Sequence, residues 1–165
     1  MEIRRLNGED AESYRALRHE ALLMNPEAFS SSYEDEEGYE ASRYRERLDN
    51  KSVYTFGAFD KEQLVGVVTL VPDGKVKLKH RASIFAMYVT SSHRGRGIGR
   101  ALVKAAIQKG AELTIVEQIH LTVTSSNEPA KKLYASLGFK VYGVEKNSMK
   151  IDGIYYDEDL MMLFL

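Results

Sequence analysis

The chain has 165 residues, 44% hydrophobic and 28% charged, with 23 Lys plus Arg against 24 Asp plus Glu and a formal charge of −1. That length suits one domain over residues 1–165 with a real core, and the near-neutral balance argues against a general nucleic-acid binder, which carries a basic excess. Cysteine is absent, which excludes disulfides, zinc–thiolate sites and a cysteine nucleophile; with no apolar run near the roughly 20 residues of a bilayer span and no apolar stretch after Met1, a cytoplasmic, membrane-free protein without a metal is expected.

Residues 2–6 read as a short strand. Asn7 is placed to cap a helix from about Gly8 to Met24, with Glu9 and Asp10 in the first turn, where the helix dipole favours acids. Ala11, Tyr14, Leu17, Ala21 and Met24 then share one face. After Pro26, Ser31 or Ser32 caps a second predicted helix running to about Leu48. Val53 to Phe59 is rich in β-branched and aromatic residues and reads as a strand. Leu64 to Val71 is almost continuously apolar, the pattern of a strand covered on both faces. Pro72-Asp73-Gly74 is a turn, and the next strand ends at Tyr88 and Val89.

A glycine-rich loop, Arg94 to Gly99, leads into a helix with Ile98, Ala101, Leu102 and Ala105 as its apolar face and Gly110 as its expected terminator. Ile119, Leu121 and Val123 alternate with His120, Thr122 and Thr124 in a further strand. Asn127 caps another helix with Pro129 in its first turn; Ala130, Leu133, Tyr134 and Leu137 share a face, and Gly138 ends it. Phe139 to Ile151 and Ile154 to Leu165, joined at Asp152-Gly153, form a long hairpin. The order β-α-α-β-β-β-α-β-α-β-β implies an α/β (α+β) chain: a mixed sheet with helices on both faces.

The glycine loop, Val89-Thr90-Ser91-Ser92-His93-Arg94-Gly95-Arg96-Gly97-Ile98-Gly99-Arg100, carries the sharpest chemical signal. Glycines let backbone approach a ligand closely, and the free N–H groups at a helix start attract anions. Arg94, Arg96, Arg100, Lys104 and Lys109 add positive charge, and residues 83–110 contain no acid. The pattern suits a polyanion. It lacks the Gly-Lys-Ser/Thr end of a P-loop, and Arg100 occupies the last glycine position of a dinucleotide fingerprint, which weakens that reading. A solvated surface turn is the plain alternative.

Arg94-x-x-Gly97-x-Gly99 resembles the Gln/Arg-x-x-Gly-x-Gly/Ala signature of the GNAT superfamily of N-acetyltransferases, with Met87-Tyr88-Val89 at the usual distance before it. Asn127-x-x-Ala130-x-x-x-Tyr134-x-x-x-Gly138-Phe139 is similar to the family's second motif. Asp152-Gly153-x-Tyr155-x-Asp157-Glu158 and the apolar last strand are similar to the closing hairpin of many bacterial members. The resemblance implies a mostly antiparallel, twisted sheet of about seven strands in a single GNAT-like domain. It also implies that acetyl-CoA is the donor and a primary amine of a small molecule or peptide is the acceptor. On that basis the amides of Arg94, Gly95, Arg96, Gly97, Ile98, Gly99 and Arg100 hold the pyrophosphate. The pantetheine arm lies along Met87, Tyr88 and Val89 where this strand splays from its neighbour, and Asn127, Ala130 and Tyr134 complete the coenzyme site.

The same resemblance places a Met87 N–H as oxyanion donor and Tyr134 as the acid for the leaving thiolate. A tyrosine pKa of about 10 against about 8.5 for a thiol makes that transfer workable; from periodicity alone Tyr134 reads first as a core aromatic. Only about one lysine-like amine in a thousand is unprotonated at neutral pH, yet residues 82–90 offer no carboxylate base. His120 is the remaining candidate, directly or through water. Eight acids against three arginines in residues 27–49 suggest a cationic acceptor such as a polyamine or basic peptide, with a solvated helix face as the alternative. The absence of cysteine disfavours an acyl-cysteine relay. The rival functions are a non-catalytic acyl-CoA-binding module and nucleic-acid binding through the loop arginines with Lys75, Lys77, Lys79, His80 and Arg81. The apolar last strand suggests an edge for a homodimer.

Overall fold

Local chemistry sets the first elements. In the computed structural model, which describes residues 1–165, strand β1 covers Glu2–Arg5. Asn7 then opens a helical segment: its side chain accepts the Glu9 N–H at 2.8 Å while the Asp10 carboxylate accepts the Asn7 N–H at 3.0 Å. One 3-10 turn, Gly8–Asp10, precedes helix α1, Ala11–Met24. The second predicted helix is broken in two. Ser32 caps α2, Tyr33–Glu36, and α3 covers Ala41–Asp49. The break at Gly38 frees α3 to turn its buried Tyr44 and Leu48 onto α1, while Glu36 points inward to Arg18.

Strands β2 (Tyr54–Asp60), β3 (Gln63–Pro72) and β4 (Arg81–Val89) follow, then α4 (Ile98–Glu112), β5 (Gln118–Thr124), α5 (Glu128–Ser136), β6 (Lys140–Ile151) and β7 (Ile154–Phe164). They form one seven-stranded sheet in the order β1-β2-β3-β4-β5-β7-β6. Only the β4–β5 pair is parallel. As predicted for a strand covered on both faces, residues 64–70 of β3 are all buried. One face packs against α4 and α5 around Val68, Leu70, Leu102 and Ile119. The other packs against α1 and α3 around Leu6, Tyr14, Tyr44 and Val67.

Three expectations are corrected. Gly110 does not end α4; it lies inside the helix, where a Cβ would come within 2.8 Å of Ile119 Cδ1, so the glycine serves close packing on β5. The buried face of α4 is Ile98, Leu102, Val103, Ala106 and Gly110, rotated from the predicted stripe because Val103 and Ala106, not Ala101 and Ala105, meet the sheet. The last strand, β7, has β5 on one side and β6 on the other, so it has no free edge for a second copy.

Candidate active site

The site begins with a fault in β4. Ser83 and the residues before it pair with β5, at Arg81–Gln118, Ala82–Ile119 and Ser83–His120, and there the parallel pairing stops. Ala86 adopts a left-handed φ of 52°, and the register against β3 slips between Val67 and Thr69. This is a β-bulge, which adds a residue and bends the strand. It also reverses the side-chain alternation. Ala82 and Ile84 face the α4 core before it, Val89 does so after it, and Tyr88 turns to the α1 face.

Beyond the bulge the backbone polarity is determined. Thr90 donates its N–H to Val65 O at 2.9 Å, and Tyr88 pairs with Val67 in the same register. The two-residue period then directs the N–H and C=O of Met87 and Val89 away from β3, into the gap between β4 and β5. Residues 121–124 of β5 pair only with β7, so both walls of the gap keep free backbone groups.

At the wide end of the gap lies the glycine loop. Gly95 and Gly97 hold φ of 74° and 78°, a region costly for any residue with a Cβ. None of the N–H groups of residues 95–100 donates to another group in the chain; the helix ladder starts with Ala101 donating to Gly97 O at 3.0 Å. The arginines divide by role. Arg94 is a strut: its Nε donates to Val89 O at 2.9 Å and its Nη2 to Asn25 Oδ1 at 2.7 Å. Arg100 donates to Ser136 Oγ at 2.7 Å, tying α4 to α5. Arg96 is exposed, makes no such bond, and does not border the cavity.

A cavity of about 1240 Å³ runs through the gap. All the other predicted site residues border it: Met87, Tyr88, Val89, Arg94 and Gly95, then Gly97, Ile98, Gly99 and Arg100, and across from them Asn127, Ala130 and Tyr134. Asn127 caps α5 by accepting the Ala130 N–H at 3.3 Å, which leaves its Nδ2 without a partner. Tyr134 is 6% exposed, lies 6.0 Å from the Phe139 ring, and makes no hydrogen bond within the chain. Burial pushes its phenol up to about 12.

A sequence model of the Acetyltransferase (GNAT) family matches residues 15–139. The chain belongs to the GNAT family of acetyltransferases. It is an N-acetyltransferase, and acetyl-CoA is the family's acetyl donor. The spermidine N(1)-acetyltransferase of Escherichia coli K12 is 27% identical over 169 residues, covering 99% of this chain and 86% of that protein. Human N-alpha-acetyltransferase 30 is 33% identical over 133 residues, covering 80% of this chain and 36% of that protein. The Salmonella typhimurium protein yncA, solved with its cofactor acetyl-CoA, superposes with a TM-score of 0.88 over 100% of this chain and 94% of its own, at 18% identity; that likeness is one of fold.

Several residues of this GNAT site escape sequence reading. Glu20 of α1 accepts from Tyr88 Oη at 2.9 Å and Thr90 Oγ1 at 2.6 Å, anchoring the bulged end of β4 from 68 residues away. Burial, with the Glu20 contact second, pushes the Tyr88 phenol up to about 12. Glu36, one of the eight acids of residues 27–49, is buried and bridged by Arg18 at 2.7 Å and Tyr44 Oη at 2.9 Å. Of those eight, only Glu27 borders the cavity, because the others lie on the outward faces of α2 and α3 or are spent inside. His120 borders the cavity, but it sits level with Ser83, four residues before Met87 and so about 13 Å along the strand. That is too far for it to take a proton directly from an amine at Met87. No helix is long and apolar enough to cross a membrane.

Proposed function

We propose that this chain transfers an acetyl group from acetyl-CoA directly to a primary amine of a small molecule or peptide, with the transfer centred between Met87 and Tyr134. The observation that carries the reading is the run of unpaired amides at residues 95–100 beside the free edge of β4. Those amides, at a helix start, suit a diphosphate. The edge groups of Met87 and the N–H of Val89, whose carbonyl already accepts from Arg94, suit the amides of a pantetheine arm laid down as an added strand, and the free Nδ2 of Asn127 supplies one more donor. The coenzyme supplies the acetyl group as a thioester.

Met87 N–H donates to the carbonyl oxygen as negative charge gathers there. The amine nitrogen bonds to the acetyl carbon and the C–S bond breaks. Tyr134 gives its phenolic proton to the departing sulfur, the amine loses a proton to solvent, and the Tyr134 phenolate takes a proton back from solvent. A phenol raised to about 12 stays protonated at neutral pH, so the donor form is always present.

Thiol release with an amine library tests the reading. Tyr134→Phe is expected to lower kcat by about a hundredfold or more while the coenzyme Kd stays unchanged. Wild-type turnover in that variant removes the role of Tyr134. Coenzyme binding without thiol release from any amine would make the chain a binding module.

A further inference from the structure

We infer that the acceptor is a peptide N-terminus followed by acidic residues, and that Arg81, with Arg47 across the cleft, reads the acidic part. This rests on the proposed transfer point at Met87.

The acceptor side of the cavity is electrically polar along its length. At the transfer end the bordering acids are Glu27 and Glu158. Both are placed there by Thr124: it pairs with Glu158 across β5 and β7, and its Oγ1 donates to the Glu27 carbonyl. At the far end the bordering charges are Arg81, opposite Gln118 on the last paired stretch of β4, and Arg47 of α3. Neither guanidinium has an ion-pair partner within the chain. Arg47 lies over the Tyr44 ring, 5.7 Å from its centroid, and its charge helps to lower the Glu36 carboxyl without forming an ion pair. Glu36, the nearest acid to Arg47 in sequence among the buried groups, is held by Arg18.

The turn that leads into Arg81 has the same sign, although it does not border the cavity. Lys75, Lys77 and Lys79, on the turn that feeds β4, are exposed and without ion pairs. This is the basic cluster that the phosphate site leaves unused. His120, level with Ser83 on the same stretch, registers the field: burial first, then the charges of Arg81 and His80, hold its imidazolium below the ordinary histidine range.

Length selects the acceptor. Met87 and Arg81 are six residues apart on a bulged strand, about 15–20 Å. An α-amino acid, with its carboxylate two bonds from the amine, does not reach from one to the other. An extended peptide advances about 3.3 Å per residue, so with an arginine reaching back, the acid falls at about the third to fifth position. A polyamine, all cation and shorter than this span, gives Arg81 nothing to bind.

The test compares four acceptors with acetyl-CoA by thiol release: a pentapeptide with a free N-terminus and aspartates at positions three to five, the same peptide with lysines there, spermidine, and free glutamate. The aspartate peptide is expected to have a kcat/KM about ten- to a hundredfold above the lysine peptide and spermidine, the range of a lost charged hydrogen bond. Arg81→Gln should raise its KM by a similar factor and erase the preference, and Arg81→Glu should invert it. Coenzyme titration of both variants reports that they are folded. Preference for spermidine, for the lysine peptide or for free glutamate overturns the inference, as does a preference unmoved by Arg81→Gln; in each case thiol release leaves the transferase reading intact. Thiol release from none of the library's amines removes that reading, and this inference with it.

Discussion

Tyr134 shows how one side chain serves packing and chemistry together. Its ring fills the α4 and α5 core, and its hydroxyl is left without a partner at the cavity. Because burial raises its pKa to about 12 from an unfolded value of about 10, the unfolded chain loses this proton first as pH climbs. The stability it contributes is full below pH 10 and lost towards pH 12, about 2–3 kcal/mol in all. Melting temperatures should therefore fall steeply across that window in the wild type and less steeply in Tyr134→Phe. Gly97 is the complementary case, a residue chosen for backbone alone: nothing lies near the place of its missing Cβ, yet its φ is 78°. Gly97→Ala should cost roughly 1–2 kcal/mol, seen in chemical denaturation, and raise the coenzyme Kd by disturbing the amides. Glycines and arginines interleaved at a strand–helix junction are legible because each residue type has a separate reason to be there. The division of labour among the arginines is not legible, since Arg94 finds Asn25 from 69 residues away.

The elements were legible where a periodic face or a cap announced them, as at Asn7, Ser32 and Asn127. They were less so where tertiary contact decided. The single helix predicted to Leu48 breaks because Glu36 is drawn to Arg18 and α3 must turn onto α1. For Glu36 burial pushes the carboxyl up, but the Arg18 and Tyr44 hydrogen bonds outweigh it and the net direction is down. Its stabilising contribution is thus present above the unfolded carboxylate range and lost as pH falls through the folded value. Arg18→Met leaves the buried Glu36 carboxylate without its ion-pair partner, held only by the Tyr44 hydroxyl, and should destabilise by about 3–5 kcal/mol in urea titration. Adding Glu36→Gln should recover part of that. The bulge at Ala86 is legible through the family resemblance, which places a splay at Met87 to Val89, and not through composition, because an alanine in a left-handed conformation carries no mark of its own.

At the scale of the whole molecule, strand order makes the site. Placing β4 beside β5 in parallel, with their neighbours antiparallel, lets the two strands diverge after three residue pairs while the β5–β7 ladder stays continuous and the β3–β4 ladder resumes after its bulge. The cavity then runs from the glycine loop at one end to Arg81, at the start of β4, at the other. Net charge is silent on such placement: in a chain at −1 overall, composition does not say which way a helix face points, and of the acids of residues 27–49 only Glu27 borders the cavity. The central claim, that the amides of residues 95–100 and the free edge of β4 hold the coenzyme, is tested most directly by a crystal structure grown with millimolar coenzyme A. The account predicts the diphosphate on those amides and the pantetheine arm alongside Met87 and Val89, with its sulfur near Tyr134. Coenzyme bound elsewhere on the protein, or none bound at that concentration, would contradict it.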